Sequence, residues 1–362
     1  MNYYIISGES SGDLYGSFLI ESIKKYDSNA NFFCWGGEHM EKKGGKIIRP
    51  LNKLSFMGFW EVFKNLFTIL YNFQLVKKDI QKKKPNLLIL IDYPGFNLRV
   101  AKYAKSKNIN VIWFVAPQVW AWKESRIEKI KKYIERMYVV LPFEKNYFKS
   151  KNINVQYFGH PLTQIIRRER FINKKTKKVI ALFPGSRKQE VQKILPEMLK
   201  LIDYFRDYKF IIGAVKNIDL RFYKKIIKNH DVKLVVNQTY KLMSISSATI
   251  VTSGTISLEA AICNLPQVVC YKTSFISFFI AKRLVRSKYI SLVNIILNRP
   301  VVDELIQDDF NSENLIFSLE KALNKNNISK IQKNYKELLQ KLDKKFSFDL
   351  LVKDMLSFYK KN

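Results

Sequence analysis

Residues 3–17 read YYIISGESSGDLYGS. A strand-like apolar run, Tyr3–Ile6, meets a turn at Gly8, and a helix-period run, Leu14–Tyr26, follows. Glycine between strand and helix lets the backbone approach a ligand, and the helix N-terminus favours anions. The same grammar returns in the second half of the chain. Strand-like VIALF (residues 179–183) leads into Pro184-Gly185-Ser186-Arg187, and a helical run starts near Gln189. Two halves that open alike predict an α/β protein of two Rossmann-like domains facing a cleft, with ligands beyond the carboxyl ends of the strands.

The rest of the chain supports that reading. Strand candidates are Tyr3–Ile6, Asn31–Trp35, Leu87–Ile91, Val111–Val115, Met137–Leu141 and Val155–Phe158, then Val179–Phe183, Lys209–Ala214, Lys233–Val236, Thr249–Thr252 and Gln267–Tyr271. Helix-period stretches separate most of them, which predicts βα units and mainly parallel sheets. The charged, aperiodic run RRERFINKKTKK, Arg167–Lys178, divides the chain. The expected organisation is a first domain over 1–166, a linker over 167–178, a second domain over 179–335 and a C-terminal helix over 336–362.

At 362 residues there is room for two cores. The 47% apolar and 26% charged content is that of a globular protein. Sixty-three Lys and Arg against 31 Asp and Glu give a net charge of +32, which points to polyanionic partners: an anionic membrane, phosphorylated substrates or nucleic acid. A Lys-, Ile- and Asn-rich composition of the kind AT-rich genomes impose contributes part of that excess. Three cysteines without a C-x-x-C pair fit reduced core thiols, and three scattered histidines predict no metal site. The N-terminus enters a strand at once, so no signal peptide is expected.

The most apolar window is Phe56–Val76, FMGFWEVFKNLFTILYNFQLV. Its length would span a bilayer, but Glu61, Lys64, Asn65, Thr68 and Asn72 draw one polar stripe along it. Two readings remain: a helix buried on most sides, or one with Phe59, Trp60, Phe63 and Phe67 in lipid and Lys77 and Lys78 on anionic headgroups.

Five segments carry candidate chemistry. Gly8-Glu9-Ser10-Ser11-Gly12 fits the G-x-S-x-G pattern of a serine nucleophile elbow. Such an elbow borrows an oxyanion-hole N–H from a loop earlier in the chain. Here almost nothing precedes it, and the last histidine is His230. Asp92, after the run LLILI, sits where a strand surfaces, as a general base or as a turn-forming Asp before Pro94-Gly95. Trp120 and Trp122 suit either stacking on a sugar or core packing. In PGSRKQE, Arg187 offers a planar fork to a diphosphate, and Glu190 is either a ligand contact or a capping acid. Ser253-Gly254-Thr255 at a helix start suits a diphosphate, and Glu259 a ribose.

Taken in order, G-E-S-S-G-D, I-D-Y-P-G-F-N, P-Q-V-W-A-W, L-P-F-E, G-H-P, P-G-S-R-x-x-E-V, S-G-T-x-x-L-E-A and Y-I-S-L-V-N resemble the lipid-A-disaccharide synthase family across nearly the whole chain. The resemblance implies a GT-B glycosyltransferase with its C-terminal helix packing back on the first domain. It implies inverting transfer of 2,3-diacylglucosamine from its UDP conjugate to 2,3-diacylglucosamine 1-phosphate, releasing UDP. By resemblance, Asp92, Glu9 and Arg187 are the catalytic set. Gly185, Ser186, Arg187, Glu190, Ser253, Gly254, Thr255, Glu259 and Asn294 hold the UDP donor, while Gly8, Ser11, Gly12 and Trp120 lie on the acceptor side. The expected partners are the acylated glucosamines and an anionic membrane surface, not nucleic acid. No cofactor or metal is expected, and the expected location is cytoplasmic, peripheral on the inner face of a Gram-negative inner membrane. Two departures stand out: Ser10 where the family more often has Ala, and Ala116-Pro117-Gln118 where Ser-Pro-Ser is frequent. Other GT-B enzymes acting on UDP-sugars, including UDP-N-acetylglucosamine epimerases, are the competing enzymes. A basic nucleic-acid-binding protein is the competitor from another class, and it lacks a recognisable RRM, KH or zinc-finger signature.

Overall fold

The computed structural model describes residues 1–54, 66–169, 178–228, 230–342 and 346–361. The chain divides into two compact units. One comprises Met1–Pro161, Phe279–Arg286 and Lys345–Asn362, and the other Leu162–Phe278 and Ser287–Lys344. The first unit therefore ends before Arg167–Lys178. Pro161–Arg168 is a helix with Leu162, Ile165 and Ile166 buried, and the second unit begins at its second residue, Leu162.

The first unit is built on a seven-stranded parallel sheet. Its strands are β1 (Asn2–Ser7), β2 (Asn31–Gly36), β3 (Lys46–Pro50), β4 (Leu87–Ile91), β5 (Asn110–Phe114), β6 (Arg136–Val139) and β7 (Gln156–Tyr157), in the order β3-β2-β1-β4-β5-β6-β7. All five β4 residues are buried, because helices cover both faces of a parallel sheet. The order reverses between β1 and β4, whose register runs Tyr3↔Leu87 to Ser7↔Ile91. That crevice is where such sheets take ligands.

The second unit repeats the plan with β8 (Val179–Phe183), β9 (Lys209–Ala214), β10 (Lys233–Val236), β11 (Ala248–Thr252), β12 (Gln267–Tyr271) and β13 (Asp303–Ile306), in the order β10-β9-β8-β11-β12-β13. Its switch point lies between β8 and β11. Each sheet has its own core. Leu88, Leu90 and Trp113 belong to the first, and Ile180, Leu182 and Ile250 to the second.

The chain ends in the helix Phe348–Lys361, packed within the first unit. Asp349 accepts hydrogen bonds from Ser22 Oγ at 2.6 Å and Lys25 Nζ at 2.8 Å. Asp354 accepts from Arg136 Nη2 and from the Tyr138 hydroxyl, both at 2.7 Å. The Phe348 ring stacks on Phe18 at 5.2 Å.

Of the apolar window, the helix Leu66–Lys83 is described from Leu66 onward, and Phe59, Trp60 and Phe63 lie outside the described residues. Of the polar stripe, Asn72 turns inward. That residue is buried, and its amide donates to the Lys53 carbonyl at 3.1 Å. Phe67 is 86% exposed, and Leu70 and Tyr71 are exposed too. Lys77 lies over the Phe73 and Tyr103 rings, while Lys78 faces solvent. The Tyr4 hydroxyl donates to Asp79 and so fastens this helix to β1. No described helix is long and apolar enough to cross a membrane.

Candidate active site

In the first unit, β1 and β4 deliver Glu9 and Asp92 to the same end of the sheet. Small residues allow this approach. A Cβ on Gly8 would meet the Tyr93 ring at 2.4 Å, and one on Gly12 would meet Ser7 Oγ at 2.3 Å. Ser7 Oγ donates to the Glu9 carbonyl at 3.0 Å. Asp13, buried, accepts from the backbone N–H groups of Gly37 (2.7 Å), His39 (3.1 Å) and Met40 (3.2 Å), so it anchors the neighbouring turn.

Ser10 opens the helix Ser10–Tyr26 from an extended Glu9 (φ −141°), without the strained backbone of a nucleophile elbow. The sharp strand-to-helix turn occurs at Asp92 instead. Asp92 (φ 46°) and Tyr93 (φ 52°) are both left-handed, and Pro94 then starts a helix. Asn97 Nδ2 donates to the Asp92 carbonyl at 2.7 Å, and the Tyr93 hydroxyl donates to the Leu54 carbonyl at 2.9 Å. Next along the sheet, Val115 has φ 62°, an uncommon conformation for a β-branched residue. Strain of this kind gathers at functional sites.

The electrostatics single out Asp92. Burial, then the negative charge of Glu9 and to a smaller extent that of Glu144, raises its carboxyl to about 7, against the opposing pull of the Tyr93 N–H and the Arg126 guanidinium. Glu144 is itself raised to about 7 by burial, although Leu141 N–H (2.9 Å), Val140 N–H (3.2 Å) and Trp120 Nε1 (3.1 Å) all donate to it. Burial lowers His160 to about 3, so its ring is neutral near pH 7. A carboxyl held near neutrality beside a second acid is suited to taking a proton from a hydroxyl.

In the second unit, β8 and β11 deliver two turns. Gly185 has φ 120°, and a Cβ there would meet Glu190 at 2.5 Å. The Glu190 carboxylate accepts from Ser186 N–H (2.9 Å), Arg187 N–H (3.2 Å) and Arg187 Nη1 (2.6 Å), a capping box that starts the helix Lys188–Leu199. After β11, Gly254 (φ 156°) caps the helix Thr255–Ile262, and among the described residues no atom lies within 4 Å of where a Cβ on it would sit. Burial raises Glu259, on that helix, to about 7, with the Tyr240 and Thr255 side chains hydrogen-bonding to it.

The family model for lipid-A-disaccharide synthetase matches residues 3–350. The chain belongs to the lipid-A-disaccharide synthetase family. A lipid-A-disaccharide synthase of Coxiella burnetii is 35% identical over 335 residues, 89% of each chain. One from Syntrophus aciditrophicus is 35% identical over 326 residues, 86% of this chain and 85% of that one. Among solved structures, the UDP-GlcNAc 2-epimerase of Neisseria meningitidis bound to UDP-GlcNAc has a TM-score of 0.66 at 14% identity, covering 100% of both chains. The calicheamicin glycosyltransferase CalG4 has a TM-score of 0.62 at 9% identity, covering 99% of this chain and 98% of that one. These likenesses establish the fold as two Rossmann-like domains of the GT-B kind.

Several residues expected as ligand contacts have partners within the chain. Asn294 is buried and its amide is saturated. Nδ2 donates to the Val302 carbonyl (2.9 Å) and Glu304 Oε1 (2.8 Å), and Oδ1 accepts from Val301 N–H (2.8 Å) and Val302 N–H (3.0 Å). It clamps the stretch from Asn294 to Glu304. Ser253 Oγ donates to the Ile290 carbonyl at 2.9 Å, tying that loop to the turn after β11. The indole N–H of Trp120 is taken by Glu144, and its ring packs edge-on against Phe143 at 4.9 Å. Glu190 shapes the Arg187 loop. Ser11 is half-buried in the first helical turn, and Gly8 and Gly12 make the close approaches described above.

Sequence reasoning assigned no role to Glu144, Arg126, Glu304 or Tyr240. Glu144 was visible in L-P-F-E. Arg126, Glu304 and Tyr240 stand in no motif, and their partners Asp92, Asn294 and Glu259 lie 10 or more residues away in sequence.

Proposed function

We propose that this chain is a lipid-A-disaccharide synthase. It transfers 2,3-diacylglucosamine from UDP-2,3-diacylglucosamine to the 6-hydroxyl of 2,3-diacylglucosamine 1-phosphate, releasing UDP with inversion at the anomeric carbon. The observation that carries the mechanism is Asp92, raised to about 7 at the end of β4 beside Glu9. Its carboxylate takes the proton of the acceptor hydroxyl as that oxygen bonds to the anomeric carbon. The bond from that carbon to the UDP oxygen breaks, and its electrons leave with UDP. Glu9 raises the proton affinity of Asp92 and orients the acceptor.

The departing diphosphate is met by Arg187 and by the N-termini of the helices Lys188–Leu199 and Thr255–Ile262, so the proposal needs no metal. Glu259 takes the ribose hydroxyls. The acyl chains place both substrates in a leaflet. Exposed Phe67, Leu70 and Tyr71, followed by Lys78, Lys82 and Lys84, support peripheral docking on an anionic surface, the cytoplasmic face of the inner membrane.

The test is UDP release from the two acylated glucosamines, each omitted in turn. Release that requires both is expected, and none from the complete mixture would end the assignment. Sedimentation of Phe67→Glu with anionic liposomes tests docking, with reduced binding expected. Unchanged binding would remove this helix from the account.

A further inference from the structure

Beyond β5, the segment that carries Trp120 and Trp122 walls a cavity the proposed chemistry does not use. Its volume is about 270 Å³, near the lower end for small-ligand sites. Val119, Trp122, Lys123, Ser125, Leu284 and Arg286 line it. All belong to the first unit, where Arg286 N–H also donates to the Ala121 carbonyl at 3.0 Å.

The cavity has more positive charge than it neutralises. Glu124, also in its wall, accepts from Lys151 Nζ and Arg286 Nη1, both at 2.6 Å. Lys123 and Arg126 lie over the Trp122 ring instead, at 4.4 and 5.1 Å from its centre. Among the described residues, neither has a carboxylate within ion-pair distance. Partial desolvation, then the positive charges of Arg126 and Lys129, hold the Lys123 ammonium below its ordinary value. Arg126 is also close enough to Asp92 to oppose the rise of its carboxyl. Arg126, which acts on both Lys123 and Asp92, connects the cavity wall to the residue placed at the reacting hydroxyl.

We propose that this cavity binds a phosphomonoester, the 1-phosphate of the sugar acceptor, with Lys123 and Arg126 on the phosphate and Trp122 and Leu284 against the sugar. This rests on the function proposed above and adds a site to it. Gripping the acceptor at its phosphate would orient the 6-hydroxyl toward Asp92. The same chemistry occurs in a phospholipid headgroup, so the experiment separates the two sources.

The variant is Lys123→Asn in the full chain. Lys123 is exposed and left-handed at φ 56°, a conformation Asn tolerates, so the fold is kept. The acceptor KM should rise roughly tenfold or more, with the donor KM unchanged, as expected for loss of a charge-assisted contact to phosphate. With an acceptor whose 1-phosphate is replaced by a methyl group, the difference between wild type and variant should vanish. An acceptor KM within twofold of wild type would overturn the proposal, as would an equal penalty on the methyl acceptor. Sedimentation with phosphatidic acid vesicles should be the same for both proteins; selective loss in the variant at unchanged KM would reassign the cavity to a lipid headgroup. Calorimetry with glucosamine 1-phosphate needs no turnover. If wild type binds it and the variant does not, the site stands even if UDP release fails; equal binding by both removes the site even if UDP release succeeds.

Discussion

Replacing Asp92 by Asn should stabilise the protein in a pH-dependent way. Burial and the neighbouring Glu9 lift the carboxyl from 3.8 to about 7. Each tenfold change in proton affinity is worth about 1.36 kcal/mol, so ionising Asp92 in the folded protein costs up to about 4 kcal/mol. Between those two values the folded chain holds a proton that the unfolded chain has released. Wild-type stability therefore falls as pH rises through this window and levels off above about 7. Asn cannot ionise, keeps an oxygen for the Tyr93 N–H and tolerates the left-handed backbone. The gain of Asp92→Asn should grow from near zero at pH 4 to about 2–4 kcal/mol at pH 8. Urea unfolding of both proteins at several pH values reads this directly. A gain independent of pH, or a loss at pH 8, would refute the claim that the fold holds this carboxyl near neutrality.

The rate on the acceptor should rise with pH through an apparent value near 7. Glu9→Gln should move that limb to lower pH and Arg126→Gln to higher pH, since these groups act on Asp92 in opposite directions; movement the same way in both pH–rate profiles would contradict this. Gly8→Ala places a Cβ 2.4 Å from the Tyr93 ring, and by overpacking alone should lower stability in urea by about 1–3 kcal/mol. Asn294→Ala strands buried partners in the 301–304 stretch and should lower stability by about 2–4 kcal/mol; a stable variant weakened only in UDP affinity by calorimetry would contradict this structural role. Ser10→Ala should keep UDP release within about threefold, and labelling of Ser10 by a fluorophosphonate would contradict its passive role.

Strands that need continuous apolar runs were legible in the sequence because burial on both faces leaves little choice. Leu87–Ile91 and Val179–Phe183 were read with the limits they have in the structure. The strands Lys46–Pro50 and Asp303–Ile306 were not read, because edge strands are covered less and need fewer apolar residues. Val115 looked like the end of a strand, yet it turns left-handed and starts the cavity loop. The site was legible as separate turns after strands. That Glu9 and Asp92 share an electrostatic environment follows from β1 pairing with β4, a long-range pairing no local pattern reveals. Asn294 looked like a polar group near a ligand. Its saturation depends on Val301, Val302 and Glu304 folding back onto it.

The most direct test of the account is single-turnover transfer by Asp92→Asn at pH 8 with both substrates saturating. If Asp92 accepts the proton of the attacking hydroxyl, the rate should fall about 10²–10⁴-fold while the protein remains folded and binds UDP. A rate within threefold of wild type would contradict the central claim.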